Sequence, residues 1–345
     1  MKIKVGFIGT GFIAQQCHLP SFQLIKDCKI EALSDLQKDL ADRLASRNGI
    51  KKVYRDHKEL IADETIDAVV ITLPRKLTAG VVKESLLAGK HVFTEKPLAL
   101  NLKTAEELVH ISKINKLILY VGYMKQFDHG FISFKQELSR LTSLGKDPLF
   151  LKANCFMGDS YCNPIGDFKS EQNVVLPKTE IENLPNWLTK ERQVGYENFL
   201  NVFSHLIHAI HDIQSDTLLP IATTINNEGV GISLFRSGNT PVEISTSKSQ
   251  LSEWHEDITV VYEDHIVKVT FPPALLKNVP AKVQIISGNS NHQTISSRPN
   301  WSWSFLNQAE AFIEMCNQNS TQQGNAQAAK NNIKVVEELF KLPSC

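Results

Sequence analysis

The 345-residue sequence lacks the features that mark several classes of protein. Its 37 basic and 37 acidic residues balance, and no long run of one sign occurs, so neither a nucleic-acid partner nor an acidic membrane surface is expected. The longest apolar runs, such as 68–73 and 117–121, are far too short to span a bilayer. The first residues, Met1 to Lys4, lead directly into a strand pattern without the apolar stretch of a signal peptide. These absences predict a cytoplasmic protein.

Cysteine is scarce and scattered. The six residues form no CxxC pair and have no zinc-ligand spacing, so we expect reduced thiols and no disulfide framework. They are Cys17, Cys28, Cys155, Cys162, Cys316 and Cys345.

The first third of the chain alternates short apolar strands with helices. A chain of this length is expected to form two domains. The strand patterns cover 4–8, 30–33, 68–73, 90–94 and 117–121. This rhythm implies right-handed βαβ crossovers, so it predicts a doubly wound parallel sheet in an α/β domain over residues 1–124.

From residue 125 the pattern changes. Alternating runs at 258–262, 265–271 and 282–286 predict an open, mostly antiparallel sheet, so residues 125–345 are expected to form an α+β domain. The polar stretch 158–186 is too long for a plain connection and indicates a functional loop or an insertion. Two closing helices, about 305–317 and 326–341, are expected to pack back on the first domain.

A glycine turn after the first strand is the first chemical signal. The segment reads Gly9-Thr10-Gly11-Phe12-Ile13-Ala14 and opens a helix. Gly9 permits a tight turn, Gly11 lets the backbone approach a pyrophosphate, and Ala14 keeps the helix close to the sheet. We therefore predict that residues 9 and 11–14 bind a dinucleotide.

Asp35 ends the second strand of this unit. A carboxylate at that place would accept hydrogen bonds from the adenosine ribose and repel a 2′-phosphate, which favours NAD over NADP. The alternative is that Asp35 is the N-cap of a helix beginning at Leu36, and both roles can hold together.

A second signal, Thr94-Glu95-Lys96-Pro97, follows the strand pattern 90–94. Ligands of open α/β sheets bind beyond the carboxyl ends of the strands, so Lys96 could exchange a proton with a substrate hydroxyl. A solvated Glu-Lys pair at a rigid turn explains the same residues without chemistry.

A third signal lies on the predicted helix 197–213. Asn201, His205 and His208 have the spacing i, i+4 and i+7, so they share one helix face and could bind a substrate diol. His205, His208 and Asp212 also have metal-ligand spacing, but one helix rarely supplies every ligand, and we predict no metal. The structural alternative is a set of core histidines bonded to backbone carbonyls.

Together these motifs resemble the glucose-fructose oxidoreductase, inositol dehydrogenase and rhizopine catabolism (Gfo/Idh/MocA) family, most closely over residues 1–128. The segments that carry the resemblance are Gly9–Ala14, Asp35, Thr72–Pro74, Ala88–Val92, Glu95–Pro97 and Val121–Phe127. The resemblance implies a Rossmann domain, NAD as cofactor, and hydride transfer to or from a secondary alcohol of a sugar, nucleotide sugar or cyclitol.

The resemblance also implies roles for single residues. The family's catalytic lysine falls on Lys96, which would hold the reacting oxygen. Its Asp-x-x-x-His pair falls on Asn201 and His205, so His205 would move the proton while Asn201 could only hydrogen-bond. Further residues implied are Leu73, Pro74 and Glu95 for the cofactor, and Tyr123, Gln126 and His208 for the substrate.

Three departures leave alternatives open. Asn201 replaces the usual aspartate, Gln126 stands where arginine is common, and Thr78 stands where histidine is frequent. A redox-neutral epimerase, lyase or glycosidase with tightly bound NAD, or a catalytically inactive NAD-binding homologue, fits the same motifs. Bulky residues on both faces of the second-domain strands predict a homodimer or homotetramer packed through that sheet.

Overall fold

Two separate sheets organise the chain. The computed structural model describes residues 2–158, 169, 181–214, 216–251, 254–288, 293–318 and 324–343. The chain divides into a first unit of Met1–Gly122, Pro164–Pro185 and Gln308–Ile333, and a second unit of Tyr123–Asn163, Asn186–Asn307 and Lys334–Cys345. The predicted loop or insertion at 158–186, like Cys162 and Cys345, falls largely outside the described residues.

The first unit contains a six-stranded sheet in which every pair of neighbouring strands is parallel. Its strands are β1 (Ile3–Ile8), β2 (Cys28–Ser34), β3 (Lys52–Tyr54), β4 (Ala68–Ile71), β5 (His91–Thr94) and β6 (Leu119–Val121). The order β3-β2-β1-β4-β5-β6 is that of a doubly wound dinucleotide-binding sheet, so the predicted α/β fold class is confirmed. Strand β3 was not predicted, because its three residues are only half-buried and too few to show a pattern.

Helices connect these strands, and side chains fix several of their ends. They are a π-helical turn (Ala14–His18) continued by α1 (Leu19–Leu24), then α2 (Lys38–Asn48), α3 (His57–Ala62), α4 (Arg75–Leu87) and α5 (Leu102–Ile114). The Asp56 carboxylate accepts from Lys58 N at the start of α3, and Asn101 Oδ1 accepts from Thr104 N at the start of α5, both at 2.8 Å. Each bond satisfies one of the donors that a helix N-terminus leaves without an internal partner.

The second unit contains an eight-stranded sheet. Its strands are β7 (Phe150–Met157), β8 (Leu218–Thr223), β9 (Gly231–Ser237), β10 (Thr240–Lys248), β11 (His255–Val261), β12 (His265–Phe271), β13 (Lys282–Ser287) and β14 (Gln293–Ser297). The strand order is β14-β13-β12-β11-β7-β10-β9-β8, and within this sheet only the described pair β7–β10 is parallel, so the predicted mostly antiparallel sheet is confirmed. Burial alternates along the strands, and one face packs against helices.

The remaining helices include one irregularity that matters for the site. They are α6 (His129–Ser143), α7 (Gln193–Asn198), α8 (Ser204–Ile213), α9 (Ser304–Asn317) and α10 (Ala326–Lys341). A π-helical turn, Phe199–Phe203, joins α7 to α8, so the helix predicted for 197–213 is present but is not α-helical throughout.

The core of the first unit contains a cluster of aromatic rings beneath the sheet. Phe93 of β5 stacks on Tyr120 with ring centroids 5.5 Å apart, and it meets Phe22 and Phe312 edge-on at 5.7 and 5.6 Å. All four side chains are almost completely buried. This packing fixes β5, whose carboxyl end carries Glu95 and Lys96.

Candidate active site

The glycine turn after β1 has the geometry that a dinucleotide requires. Gly9 has φ of 91°, and a Cβ there would lie 2.5 Å from the carbonyl oxygen of Thr72, so only glycine fits. A Cβ on Gly11 would meet no heavy atom of the described residues within 4 Å. The side of the turn at Gly11 is therefore open to a ligand, at the point where the chain enters the helix that contains Phe12, Ile13 and Ala14.

Three hydrogen bonds hold the Asp35 carboxylate beside this turn. Its Oδ2 accepts from the backbone N and the hydroxyl of Thr10, and its Oδ1 accepts from Gln37 N, all at 2.8 Å. The alternative role as helix N-cap is wrong, because α2 begins at Lys38 and its N-cap is Gln37. Instead, the carboxylate closes a turn two residues long and is fixed at the end of β2.

A cleft with an empty volume of about 530 Å³ lies along this edge of the sheet. Its lining combines the predicted Gly9, Asp35 and Leu73 with residues that the sequence did not indicate, namely Ile8, Ser34, Leu36, Arg55, Asp56, His57, Leu77 and Val81. Apolar side chains beside a fixed carboxylate are what an adenosine would need, with the leucines available to the base and Asp35 to the ribose. The residues present therefore suit NAD.

Glu95 and Lys96 lie directly beyond β5, as predicted. Glu95 Oε1 lies 2.7 Å from Nε2 of His18, and Glu95 Oε2 accepts from Lys96 N at 3.2 Å. Burial raises the pKa of the Glu95 carboxyl, but the hydrogen bond and charge of His18 and the charge of Lys96 outweigh it and leave the pKa below its ordinary value. The carboxylate is therefore held in its ionised form beside Lys96.

Sequence reasoning missed His18. It is completely buried at the end of the π-helical turn, and its ring packs edge-on against Phe93 at 5.2 Å. The helix around it mixes polar and apolar residues, so nothing in the sequence singles His18 out, and its partner lies 77 positions further along the chain.

In the second unit, Tyr123 brings together two histidines of α8. Its buried ring stacks on His208 with centroids 4.1 Å apart, and it meets His205 edge-on at 5.6 Å. Asn201 in the π-helical turn and His205 are half-buried, whereas the side chains between them and beyond are largely enclosed. This part of the helix therefore leaves an amide and an imidazole partly accessible, while the Tyr123 ring packs behind them.

His208 has a different environment from His205. It is buried, and burial, followed by the nearby charges of His211 and Lys135, lowers the pKa of His208 to about 3. The ring is therefore neutral at physiological pH and supports the back of Tyr123 through stacking.

Gln126 and Lys125 occupy the short 3₁₀ turn Met124–Phe127. Gln126 Nε2 is buried and has no hydrogen-bond partner among the described residues. Lys125 forms a buried ion pair with Glu256, and its Nζ lies 4.8 Å from the centroid of the Phe271 ring. The sequence did not indicate this ion pair.

Asp212, which has metal-ligand spacing with His205 and His208 in the sequence, is paired with a lysine. The Asp212 carboxylate accepts from Lys135 Nζ at 2.6 Å. Within the part of the chain that the structure describes, no group of three or more histidine, cysteine or acidic residues could hold a metal ion.

In that same part, none of the helices combines the length and apolar character that a membrane crossing needs.

Comparison with known proteins identifies the first unit. Residues 3–123 match the GFO_IDH_MocA family model, described as an oxidoreductase family with an NAD-binding Rossmann fold. Over residues 3–123 the chain thus matches the Gfo/Idh/MocA oxidoreductase family. The expected family and the expected NAD-binding Rossmann domain are thus confirmed.

Individual relatives match over a similar part of the chain. The myo-inositol 2-dehydrogenase of Thermotoga maritima is 33% identical over 144 residues, which is 42% of either chain. The inositol 2-dehydrogenase/D-chiro-inositol 3-dehydrogenase of Shouchella clausii is 34% identical over 155 residues, or 44% of either chain. The matched region spans less than half the length of these two relatives.

Solved structures resemble the fold over a longer range. A 3-ketoreductase from Actinomadura kijaniata, solved with NADP and TDP-benzene, has a TM-score of 0.75 at 16% identity and covers 98% of this chain and 96% of its own. Scyllo-inositol dehydrogenase from Lactobacillus casei, solved with NAD(H) and scyllo-inositol, has a TM-score of 0.72 at 17% identity with the same coverage. At these identities the likeness shows the fold alone.

Proposed function

We propose that the chain is an NAD-dependent oxidoreductase that transfers a hydride between nicotinamide and a secondary alcohol of a cyclitol, sugar or nucleotide sugar. The observation that carries the proposal is the position of Lys96 beyond β5, on the sheet edge that also carries the glycine turn and Asp35. Ligands of open α/β sheets bind at this edge, so a lysine there stands close to where a cofactor reacts.

Side chains of the protein would transfer the proton of the reacting hydroxyl group. NAD, when bound, would supply the hydride-transfer chemistry. Lys96 holds the reacting oxygen, and the imidazole of His205 takes or returns the proton. Asn201 has no proton to exchange, so its amide orients the substrate by hydrogen bonds.

A polyhydroxylated ring is the substrate class that this side-chain set suits. Asn201 and His205 are half-buried and offer both donors and acceptors, which match the hydroxyl groups of such a ring. Relatives named as inositol dehydrogenases support a cyclitol as the first class to test.

A screen of inositols, sugars and nucleotide sugars for NADH formation tests the activity. The proposal expects steady NADH production with at least one polyol. Turnover without net NADH would favour the redox-neutral alternative, and NAD binding without any turnover would favour an inactive homologue. Lys96→Met and His205→Phe test the two residues assigned to proton transfer. Lys103→Met and His110→Phe, at exposed positions of α5, are the matched controls.

We also propose that the chain forms a homodimer or homotetramer through its second sheet. The face away from the helices exposes Ile232 and Leu234 of β9 and Ile266 of β12, with 45, 44 and 38% of each residue accessible. An ion pair between Lys152 and Glu243 lies on the same face. Apolar residues interleaved with paired charges are typical of a protein–protein interface.

A further inference from the structure

His18 lies at a junction inside the first unit. It ends the π-helical turn that follows the glycine turn, and its side chain reaches the end of β5. Local π-helical turns in α-helices are frequently found at functional sites. The turn thus connects the segment that faces the dinucleotide with the strand that carries Glu95.

The bond between His18 and Glu95 is built into the core. His18 has no accessible surface, only 14% of the Glu95 side chain is accessible, and Nε2 and Oε1 are 2.7 Å apart. Gly122 packs closely against the same carboxylate, since even a Cβ added to that glycine would lie only 3.1 Å from Glu95 Oε1. The carboxylate therefore has little freedom to rotate.

Glu95 in turn acts directly on Lys96. Its Oε2 accepts from Lys96 N, which ties the backbone from which the lysine side chain projects. A buried carboxylate is costly unless it is hydrogen-bonded, and His18 is the side chain that donates to this one from another element. Loss of His18 would leave Glu95 free to take up a proton or to rotate.

We propose that His18 is a positioning residue for Lys96, acting through the Glu95 carboxylate that it holds at the end of β5. The inference rests on the proposed function, because that function gives Lys96 its chemistry. His18 would join the segment after the glycine turn to the lysine, so that the same helix that meets the dinucleotide also fixes the proton-handling group.

Substitutions at His18 separate this role from plain packing. His18→Leu removes the donor, His18→Gln keeps a donor at the reach of Nε2, and His18→Asn keeps a polar amide that is too short. His91→Leu is the matched control, since His91 Nδ1 accepts from Ile118 N at 3.1 Å at the opposite end of the same strand β5.

The first readout does not need the activity. Acetylation of Lys96 is followed by mass spectrometry and normalised to the exposed Lys26 in the same sample. We expect the Leu and Asn variants to change the relative rate at Lys96 at least about threefold, while the Gln variant and His91→Leu stay near wild type. NAD affinity, measured by calorimetry, should change less than about threefold in the Gln variant, which keeps Glu95 in place.

The second readout is kinetic. With a polyol that the wild type oxidises, His18→Leu should lower kcat by about tenfold or more with little change in KM, and His18→Gln should recover most of the loss. In a Glu95→Gln background, His18→Leu should add almost nothing, since the two residues act as one unit.

Two results would overturn the inference. One is that His18→Leu, or His18→Asn if the Leu variant does not fold, alters Lys96 acetylation no more than His91→Leu does. The other is an undiminished effect of His18→Leu in the Glu95→Gln background. If the wild type oxidises no polyol, the proposed function fails, while the acetylation experiment still decides the role of His18.

Discussion

A pH-dependent attachment of the segment 181–185 follows from the environment of Glu182. Its Oε1 accepts from Leu100 N and from Asn101 Nδ2, both at 2.9 Å, and its own backbone N donates to Lys76 O at 2.7 Å. Burial raises the pKa of Glu182 to about 7, against the opposing effects of the Leu100 amide, the Thr104 hydroxyl and Asn101. Attachment of the segment 181–185 to Leu100, Asn101 and Lys76, here called docking, therefore favours a protonated Glu182.

The direction of the pH effect follows from linkage. A detached Glu182 has the ordinary value of 4.5, so the docked state binds the proton more tightly between pH 4.5 and about 7. Docking is then strongest at pH 4.5 and below, weakens as the pH rises, and is weakest above pH 7. The full difference of 2.5 pH units corresponds to roughly 3 kcal/mol. Because Glu182 is only half-buried and water screens it, we expect about 1 to 2 kcal/mol.

Hydrogen exchange at the Leu100 and Glu182 amides measures the attachment, since both donate in the docked state. Between pH 5 and 8, and after correction for intrinsic exchange rates, the open population of the wild type should rise roughly 5- to 30-fold. Glu182→Gln should remove this rise. The control is Glu106→Gln, which removes an exposed carboxylate of α5, the helix that begins beside Asn101; it should leave the rise of the open population unchanged. Equal pH dependence in the Glu182→Gln and wild-type proteins would refute the reasoning.

Three further predictions concern the site and the assembly. In a fluorescence titration, NAD should bind at least about tenfold more tightly than NADP, because the Asp35 carboxylate repels the 2′-phosphate. Asp35→Asn should bring the two dissociation constants closer together. Equal affinities of the wild type for NAD and NADP would contradict the role of this carboxylate. Lys96→Met and His205→Phe should each lower kcat by roughly 10²-fold or more with NAD affinity almost unchanged, whereas Asn201→Asp should be tolerated; a small loss in either variant would remove the assigned proton transfer. Light scattering should give at least twice the 38.7 kDa of one chain, and Leu234→Glu should shift it towards the monomer; a wild type that is monomeric at micromolar concentration would exclude the sheet interface.

The parts of the fold that the sequence predicts are those governed by local rules. Gly9 is required because a Cβ would collide with Thr72, and a glycine at a strand-to-helix turn is visible in the sequence. Strand β3 has no such rule, since its three half-buried residues carry no pattern. Because β3 is not visible in the sequence, neither are Arg55 and His57, which follow that strand and line the cleft beside Asp35.

The second unit shows how a local irregularity limits a prediction from spacing. The spacing from Asn201 to His208 predicts one continuous α-helical face, but the π-helical turn Phe199–Phe203 shifts the phase of the helix where Asn201 lies. Asn201 and His205 remain half-buried, while His208 turns into the core and stacks on Tyr123. Spacing predicts which residues share a helix, but neighbouring elements decide which of them stay accessible.

Two glutamates of the first unit show most directly what the sequence could not supply. Glu95 and Glu182 are both half-buried, yet the pKa of Glu95 falls below its ordinary value and that of Glu182 rises to about 7. The difference lies in their partners, because Glu95 meets a histidine and the charge of Lys96, whereas the described partners that oppose burial at Glu182 are neutral amides and a hydroxyl. Each key contact joins residues more than 70 positions apart, so no local pattern distinguishes the two. The chemistry of a carboxylate in this fold is thus decided by long-range packing, which is why His18 is visible only once the chain is folded.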